Sequence, residues 1–239
     1  MRTVTSKART PVGVNNRHVT RLLKRLSTTG SIEARLDEAS GFFLEHDYAE
    51  DPLSGGPELK EVFRASLEAF ECVTYMESVL ALASSSNPDE FGKHLRKIRY
   101  RNGGVDWFER NHYMTAWLAN NKRLGMLADL TRGPETIAKT RTLDVVDGLP
   151  PRRVTFRCFP KRRFAAIKRR MRTGDLILFV STRRHLDVFH TGILIRGDDR
   201  YLMRHATRSA GKVIEQDLAD FLKKNRMSGF ILARPLCRP

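Results

Sequence analysis

The sequence contains no run of eighteen apolar residues, so it offers no membrane-spanning helix. Its start lacks the apolar block that a secretory signal peptide needs. Three cysteines in 239 residues are too few and too scattered for a disulfide framework. None stands in a Cys-x-x-Cys pair suited to a metal or redox centre. There is no phosphate-binding loop and no metal-ligand spacing, so no cofactor and no metal are expected. Internal repeats are absent. Synthesis in a reducing compartment, the cytoplasm, is the expectation from this cysteine usage.

Acidic residues are also missing before Glu33, while Arg2, Lys7, Arg9, Arg17, Arg21, Lys24 and Arg25 precede it. Residues 1–32 therefore read as a basic, disordered arm, with a short basic helix from Arg17 to Leu26. A weak likeness to an organelle transit peptide is the alternative. Residues 33–239 read as one domain. Over the whole chain 43 Lys and Arg face 27 Asp and Glu, a formal charge of +16. Such an excess fits nucleic acid, anionic lipid or another anionic polymer as partner, or simply a solvated surface. The arm and the stretch Lys161 to Arg172 are the segments that would make such a contact.

The order of elements suggests α+β, with helices first and strands later. Val73, Met76, Val79, Leu80 and Ala83 recur at helical spacing, and Ser84 to Pro88 stops the run. Asn87, Pro88 and Glu90 have the chemistry of a second helix start, which buries Phe91, Leu95 and Ile98. Trp107 to Asn121 is rich in aromatics and amides. Asp144 to Arg172 is basic and proline-punctuated and reads as a connection plus one charged helix. Leu176 to Val180 is a continuous apolar strand. Val188 to Ile195 and Tyr201 to His205 form a hairpin about Gly197-Asp198-Asp199. Val213-Ile214 and Phe230 to Ala233 supply two further short strands.

Cys72 falls in the first turn of the first of these helices. There the unpaired N–H groups and the dipole favour an anion, so its thiol is expected to ionise below the free value of about 8.5. The predicted hairpin turn sets His190 opposite His205, with side chains about 5 Å apart. One imidazole can then take a thiol proton while the other orients it. His185 and Asp187 compete for the orienting role. Cys158 and Cys237 stand outside these motifs, and Cys158 has no acid–base partner nearby in sequence.

These residues carry a family resemblance. Glu71-Cys72-Val73-Thr74-Tyr75-Met76-Glu77-Ser78-Val79 resembles the cysteine helix of the N-acetylmuramoyl-L-alanine amidase-like proteins, a branch of the NlpC cell-wall cysteine peptidases. In order there follow Ile98 to Arg101, Arg110-Asn111-His112-Tyr113 through Trp117, and Asp129-Leu130-Thr131. Next come Gly174 to Ile177, Leu186 to Ile193, His205-Ala206-Thr207 and the strand at Gly229 to Pro235. The likeness runs from about residue 35 onward. Departures are Glu71 for the usual aspartate, Ala116 for an aspartate before the tryptophan, Thr191 for valine, and Glu45-His46-Asp47-Tyr48, which keeps only the tyrosine of the usual segment.

The resemblance implies a papain-like, NlpC-type fold, its helical half packed on a C-terminal antiparallel sheet. It implies Cys72 as nucleophile, His190 as base and His205 as third residue, with Tyr48, Arg110, His112, Tyr113 and Trp117 lining the substrate cleft. The implied reaction is hydrolysis of a peptidoglycan amide bond, most simply the N-acetylmuramoyl–L-alanine bond, with peptidoglycan or a muropeptide as partner. A γ-D-glutamyl–diamino acid endopeptidase and a non-enzymatic basic module binding anionic polymers are the alternatives. Without a signal peptide, delivery to the wall would need another route.

Overall fold

The computed structural model describes residues 11–236. Helices come first. The helix α1 (Asn16–Leu26) starts where the Asn15 side chain accepts from the Arg17 N–H, and α2 (Ile32–Phe42) where Ser31 accepts from Ala34. Two short strands, β1 (Asp47–Tyr48) and β2 (Ala69–Phe70), lead into α3 (Cys72–Ala83). α4 (Pro88–Arg99) begins at an Asn87 cap with Pro88 in its first turn, and α5 (Met114–Arg123) follows. Then come β3 (Leu127–Asp129), β4 (Ile137–Leu143), β5 (Arg152–Cys158), α6 (Phe164–Ile167) and β6 (Leu176–Val180). The chain ends in β7 (Val188–Arg196), β8 (Tyr201–Thr207), β9 (Lys212–Asp217), α7 (Leu218–Lys224) and β10 (Gly229–Pro235).

Eight strands form one sheet in the order β2-β1-β9-β8-β7-β6-β10-β3. Only β1 and β2 run parallel; every other neighbouring pair is antiparallel. The fold is thus a mixture of helices with one large sheet. Side-chain alternation divides the sheet between two cores. Leu176, Leu178, Val180, Ile193, Ala206 and Val213 face the helical half. Ile177, Phe179, Leu194 and Met203 face α7 with its Phe221 and Leu222. Every residue of β6 is buried, which explains its uninterrupted apolar run.

Three expectations need correction. First, α1 is no part of a disordered arm. Val19, Leu22, Leu23 and Leu26 are buried in the helical core, and Val12 bridges to Arg64. The folded unit therefore includes residues 11–32, and only residues 1–10 of the expected arm lie outside the described residues. Second, the basic connection holds a strand, β5, which pairs with β4 just ahead of it in a two-stranded ribbon, in register from Ile137–Cys158 to Leu143–Arg152. Lys161 to Arg172 is not one helix but a four-residue α-turn between two 3-10 turns. Third, the β7–β8 register pairs Ile193 with Arg204 and Arg196 with Tyr201. This is displaced by two residues from one that opposes His190 to His205. A displacement by two keeps both histidines on one face, where a slip by one would have separated them.

Candidate active site

Cys72 is the first residue of α3, and Glu71 is its cap. The Glu71 carboxylate accepts from the N–H groups of Val73 at 2.9 Å and Thr74 at 2.6 Å. Thr74 Oγ1 returns an acceptor to the Glu71 N–H at 3.1 Å. The cap thus uses the second and third helical N–H groups and leaves that of Cys72 outside it. It also places a negative charge where the helix dipole would have favoured a thiolate. Burial pushes the thiol of Cys72 well above its ordinary range and the Glu71 charge adds to this, while hydrogen bonds with Thr191 pull the other way. The expected drop in its pKa therefore does not occur: desolvation and a neighbouring carboxylate outweigh the helix terminus.

Thr191 holds the cysteine from the sheet. Its hydroxyl donates to the Cys72 carbonyl at 3.0 Å. The thiol itself also meets Thr191, next in sequence to His190 but on the other face of the strand, and among the described residues no hydrogen bond joins Cys72 to His190. Just before it the strand is irregular: His190 pairs with Phe179 and Val188 with Val180, so Phe189 is an extra residue. Bulges of this kind re-aim side chains. The His190 ring lies parallel to Phe221, centroids 5.6 Å apart, and to Phe179 at 6.3 Å.

His190 Nε2 and His205 Nδ1 are 2.6 Å apart, with the rings edge to face. Continuing the ladder from Ile193–Arg204 sets Gly192 across from His205. A Cβ at Gly192 would lie 2.5 Å from Met203 Cγ, so the position stays clear of side chain. Burial lowers both imidazoles, His190 to about 3 with a further push from His205, and His205 to about 4. Both are neutral at pH 7. His205 Nε2 is buried with no hydrogen-bond partner among the described residues. Gln216, two residues beyond the Ile214 that pairs with His205, comes close enough to push the His205 pKa upward against burial without completing that bond. Phe189, Thr207, Ser209, Gln216, Asp220 and Phe221 join the two histidines around a cleft of about 450 Å³.

Tyr48 lies near the cysteine. Burial raises the pKa of its hydroxyl, a hydrogen bond with Arg208 pulls it back, and the neighbouring Cys72 and Glu71 add smaller upward pushes. Arg208 also pairs with Glu50. It was not anticipated from sequence. It sits in the β8–β9 turn, and β1 brings Tyr48 there through a Tyr48 N–H bond to the Gly211 carbonyl at 2.8 Å.

The remaining expected site residues are placed elsewhere. Trp117 is fully buried and donates to Glu77 Oε1 at 3.1 Å, so it is part of the core and no cleft wall. Glu77 in turn holds the buried Arg99 at 2.7 Å. Arg110 pairs with Glu61 at 3.5 Å and reaches the Ser54 carbonyl at 3.4 Å, tying down the loop before β2. His112 is half-buried, bonded to the Trp107 carbonyl at 2.7 Å and depressed in pKa by burial. Tyr113 accepts from the Val146 N–H at 3.3 Å and lines a separate cleft of about 380 Å³ between α5 and the β4–β5 ribbon. Asp187 accepts from the N–H and hydroxyl of Thr115, both at 2.7 Å, and does not orient either histidine. His185 belongs to a different cleft. Cys158 is buried, and burial raises its thiol. Cys237 lies outside the described residues. Among the described residues no cluster suited to a metal ion occurs, and no helix is long and apolar enough to cross a membrane.

Solved structures share this fold. A Legionella pneumophila protein matches with a TM-score of 0.80 at 21% identity, over 93% of this chain and 96% of its own. An N-acetylmuramoyl-L-alanine amidase from Bacteroides uniformis matches with a TM-score of 0.76 at 23% identity, over 86% and 99%. Such identities speak for the fold alone. No curated protein matches in sequence. The family model for N-acetylmuramoyl-L-alanine amidase-like proteins matches residues 38–230, a span from α2 to the start of β10 that takes in Cys72, His190 and His205. By that match the chain belongs to the AmiA-like family of N-acetylmuramoyl-L-alanine amidase-like proteins.

Proposed function

We propose that the protein is a papain-like, NlpC-type cysteine hydrolase that cuts the N-acetylmuramoyl–L-alanine amide bond of peptidoglycan. The observation that carries this reading is the 2.6 Å His190–His205 contact on a strand whose next residue, Thr191, holds Cys72. With Nε2 engaged by His205, the nitrogen left to His190 for a thiol proton is Nδ1. A neutral imidazole that donates from Nε2 has its lone pair there.

In the reaction the Cys72 thiol gives its proton to His190 Nδ1 as sulfur attacks the lactyl carbonyl. The Cys72 N–H, unused by the helix cap, donates to the oxyanion. The C–N bond then breaks and His190 protonates the departing alanine amine. Water, deprotonated by His190, attacks the thioester and releases the acid and the free thiol. His205 steadies the imidazolium. Tyr48, beside the thiol, contacts the substrate. The exposed Arg162, Arg163, Lys168, Arg169 and Arg172 draw the polymer in by long-range attraction.

The test is a disaccharide-tetrapeptide incubated with the protein and with Cys72→Ala. Intact tetrapeptide with a free N-terminal alanine, released only by the wild type, supports the reading. A disaccharide that keeps L-alanine and D-glutamate, or no product at all, rules it out.

A further inference from the structure

A second cleft, of about 430 Å³, opens between the β4–β5 ribbon and the loop from Ser181 to Asp187. Three chain segments each send an arginine to it: Arg141 from β4, Arg153 from β5 and Arg184 from the loop. Thr140, Thr142, Asp144 and His185 complete the lining. None of the three arginines takes part in a salt bridge among the described residues. Arg141 is fixed at the base. Its Nη2 donates to the Ser181 carbonyl at 3.1 Å and to Ser228 Oγ at 3.3 Å, and its Nη1 to the Thr140 carbonyl at 3.0 Å. Its Nε is buried and without a partner among the described residues, where buried donors are ordinarily satisfied. Arg153 and Arg184 are exposed at the rim.

We propose that this cleft binds the carboxylate end of a peptide. Guanidinium groups grip a planar oxyanion through paired N–H donors. The single acid, Asp144, disfavours a densely charged phosphate chain. It suits instead a peptide end that carries both carboxylate and ammonium groups. The loop that forms one wall runs directly into β7, where its last residue, Asp187, is held by Thr115. The cleft is therefore joined, through this loop, to the strand that carries His190. On the reading given under Proposed function, the ligand is the stem peptide of a muropeptide.

The experiment is calorimetric titration of the Cys72→Ala protein, which needs no turnover. The ligands are an L-alanyl-γ-D-glutamyl-diaminopimelyl-D-alanine tetrapeptide, the same peptide with its C-terminus amidated, and poly(glycerol phosphate). The free acid should bind about tenfold more tightly than the amide, the loss of one charge-assisted contact. Arg153→Ala/Arg184→Ala should erase that difference, and both sites are exposed enough to leave the fold intact. Equal binding of acid and amide, or a difference that survives the double variant, overturns the proposal. So does tighter binding of poly(glycerol phosphate), abolished by the same variant, which would make this a phosphate site. An inactive wild type whose Cys72→Ala form still discriminates would refute the hydrolase reading and leave this site standing.

Discussion

His190 Nε2 and His205 Nδ1 meet at 2.6 Å although the two strands do not set the residues opposite each other. The contact is diagonal across the ladder and depends on the bare position at Gly192. Loss of His190 should abolish turnover as fully as loss of Cys72, because the proton has nowhere else to go. His205→Ala should leave a remnant, since the third member of such a triad biases orientation and tautomer only. Gln216 extends the same line. It is the group able to accept from the His205 Nε2–H, which fixes Nδ1 as acceptor from His190. Gln216→Ala should lower kcat about tenfold with KM little changed, as losing an outer hydrogen-bond partner does at other sites. Gln216→Glu, which keeps an acceptor, should recover most of that loss. If Gln216→Ala and Gln216→Glu were equally impaired, or KM alone moved, Gln216 would have no positioning role. His185→Ala should leave kcat intact, since His185 lines the arginine cleft rather than the histidine pair, and any effect should fall on KM.

Glu71 sets the resting state of the thiol. With burial and this carboxylate both raising the Cys72 pKa, and both imidazoles neutral, the resting pair is thiol and imidazole rather than thiolate and imidazolium. Alkylation by iodoacetamide should therefore be slow at pH 7 and rise steadily through pH 9. Glu71→Gln keeps an acceptor for the cap and removes the charge. It should move the alkylation profile down by about one pH unit, the size of shift that a nearby like charge produces. A Glu71→Gln profile that overlays the wild type would show that burial alone holds the thiol protonated.

Parts of this arrangement were legible in sequence. The α3 and α4 boundaries follow from Ser, Asn and Pro chemistry at their ends, and Leu176 to Val180 announces a strand covered on both faces. Cys72 could be singled out from its place at a helix start and the histidine pair from the expected hairpin, whereas Tyr48 came from the family resemblance alone. Arg208 could not: its place beside Tyr48 depends on β1 joining β9, a pairing between residues far apart in the chain. The β4–β5 ribbon did leave a signal. Ile137-Ala138-Lys139-Thr140-Arg141-Thr142-Leu143 alternates and is rich in β-branched residues. The arginines and Pro150-Pro151 around its turn drew it towards a linker reading. The resemblance set Trp117 in the cleft wall, and only burial shows its indole N–H committed to Glu77.

Two depressed histidines make stability depend on pH. The unfolded chain protonates them at about 6.5, whereas the folded one resists until roughly pH 3 to 4. Their contribution is intact above 6.5 and shrinks as pH falls. Each costs about 1.4 kcal/mol per pH unit in that window, so about 2 kcal/mol per histidine between pH 6.5 and 5. Urea midpoints should accordingly fall between pH 7 and pH 5, and fall less in His205→Gln. A variant that loses as much stability over that interval as the wild type would mean that His205 titrates normally in the fold.

The N-terminal basic segment offers the cleanest separation of surface from core. Deleting residues 1–10 removes Arg2, Lys7 and Arg9 and touches none of the described contacts. Deletion through Leu26 also takes away Val19, Leu22, Leu23 and Leu26, all buried against the helical half. Fully burying an aliphatic side chain of this size is worth about 1.5–3 kcal/mol, an upper figure because the unfolded chain is itself partly compact. Four such losses approach the whole stability of an ordinary domain, about 5–15 kcal/mol. The longer deletion should therefore give a chain without a cooperative melting transition. The shorter one should melt as the intact protein does and differ only in capture of whole sacculi, with a higher apparent KM at low salt that converges on the intact protein as salt rises, since attraction is screened within about 10 Å at 0.1 M. Circular dichroism melts of the two deletions decide the first point. If the chain lacking residues 1–26 still melts cooperatively near the intact temperature, α1 is an appendage and the boundary belongs near residue 33 after all.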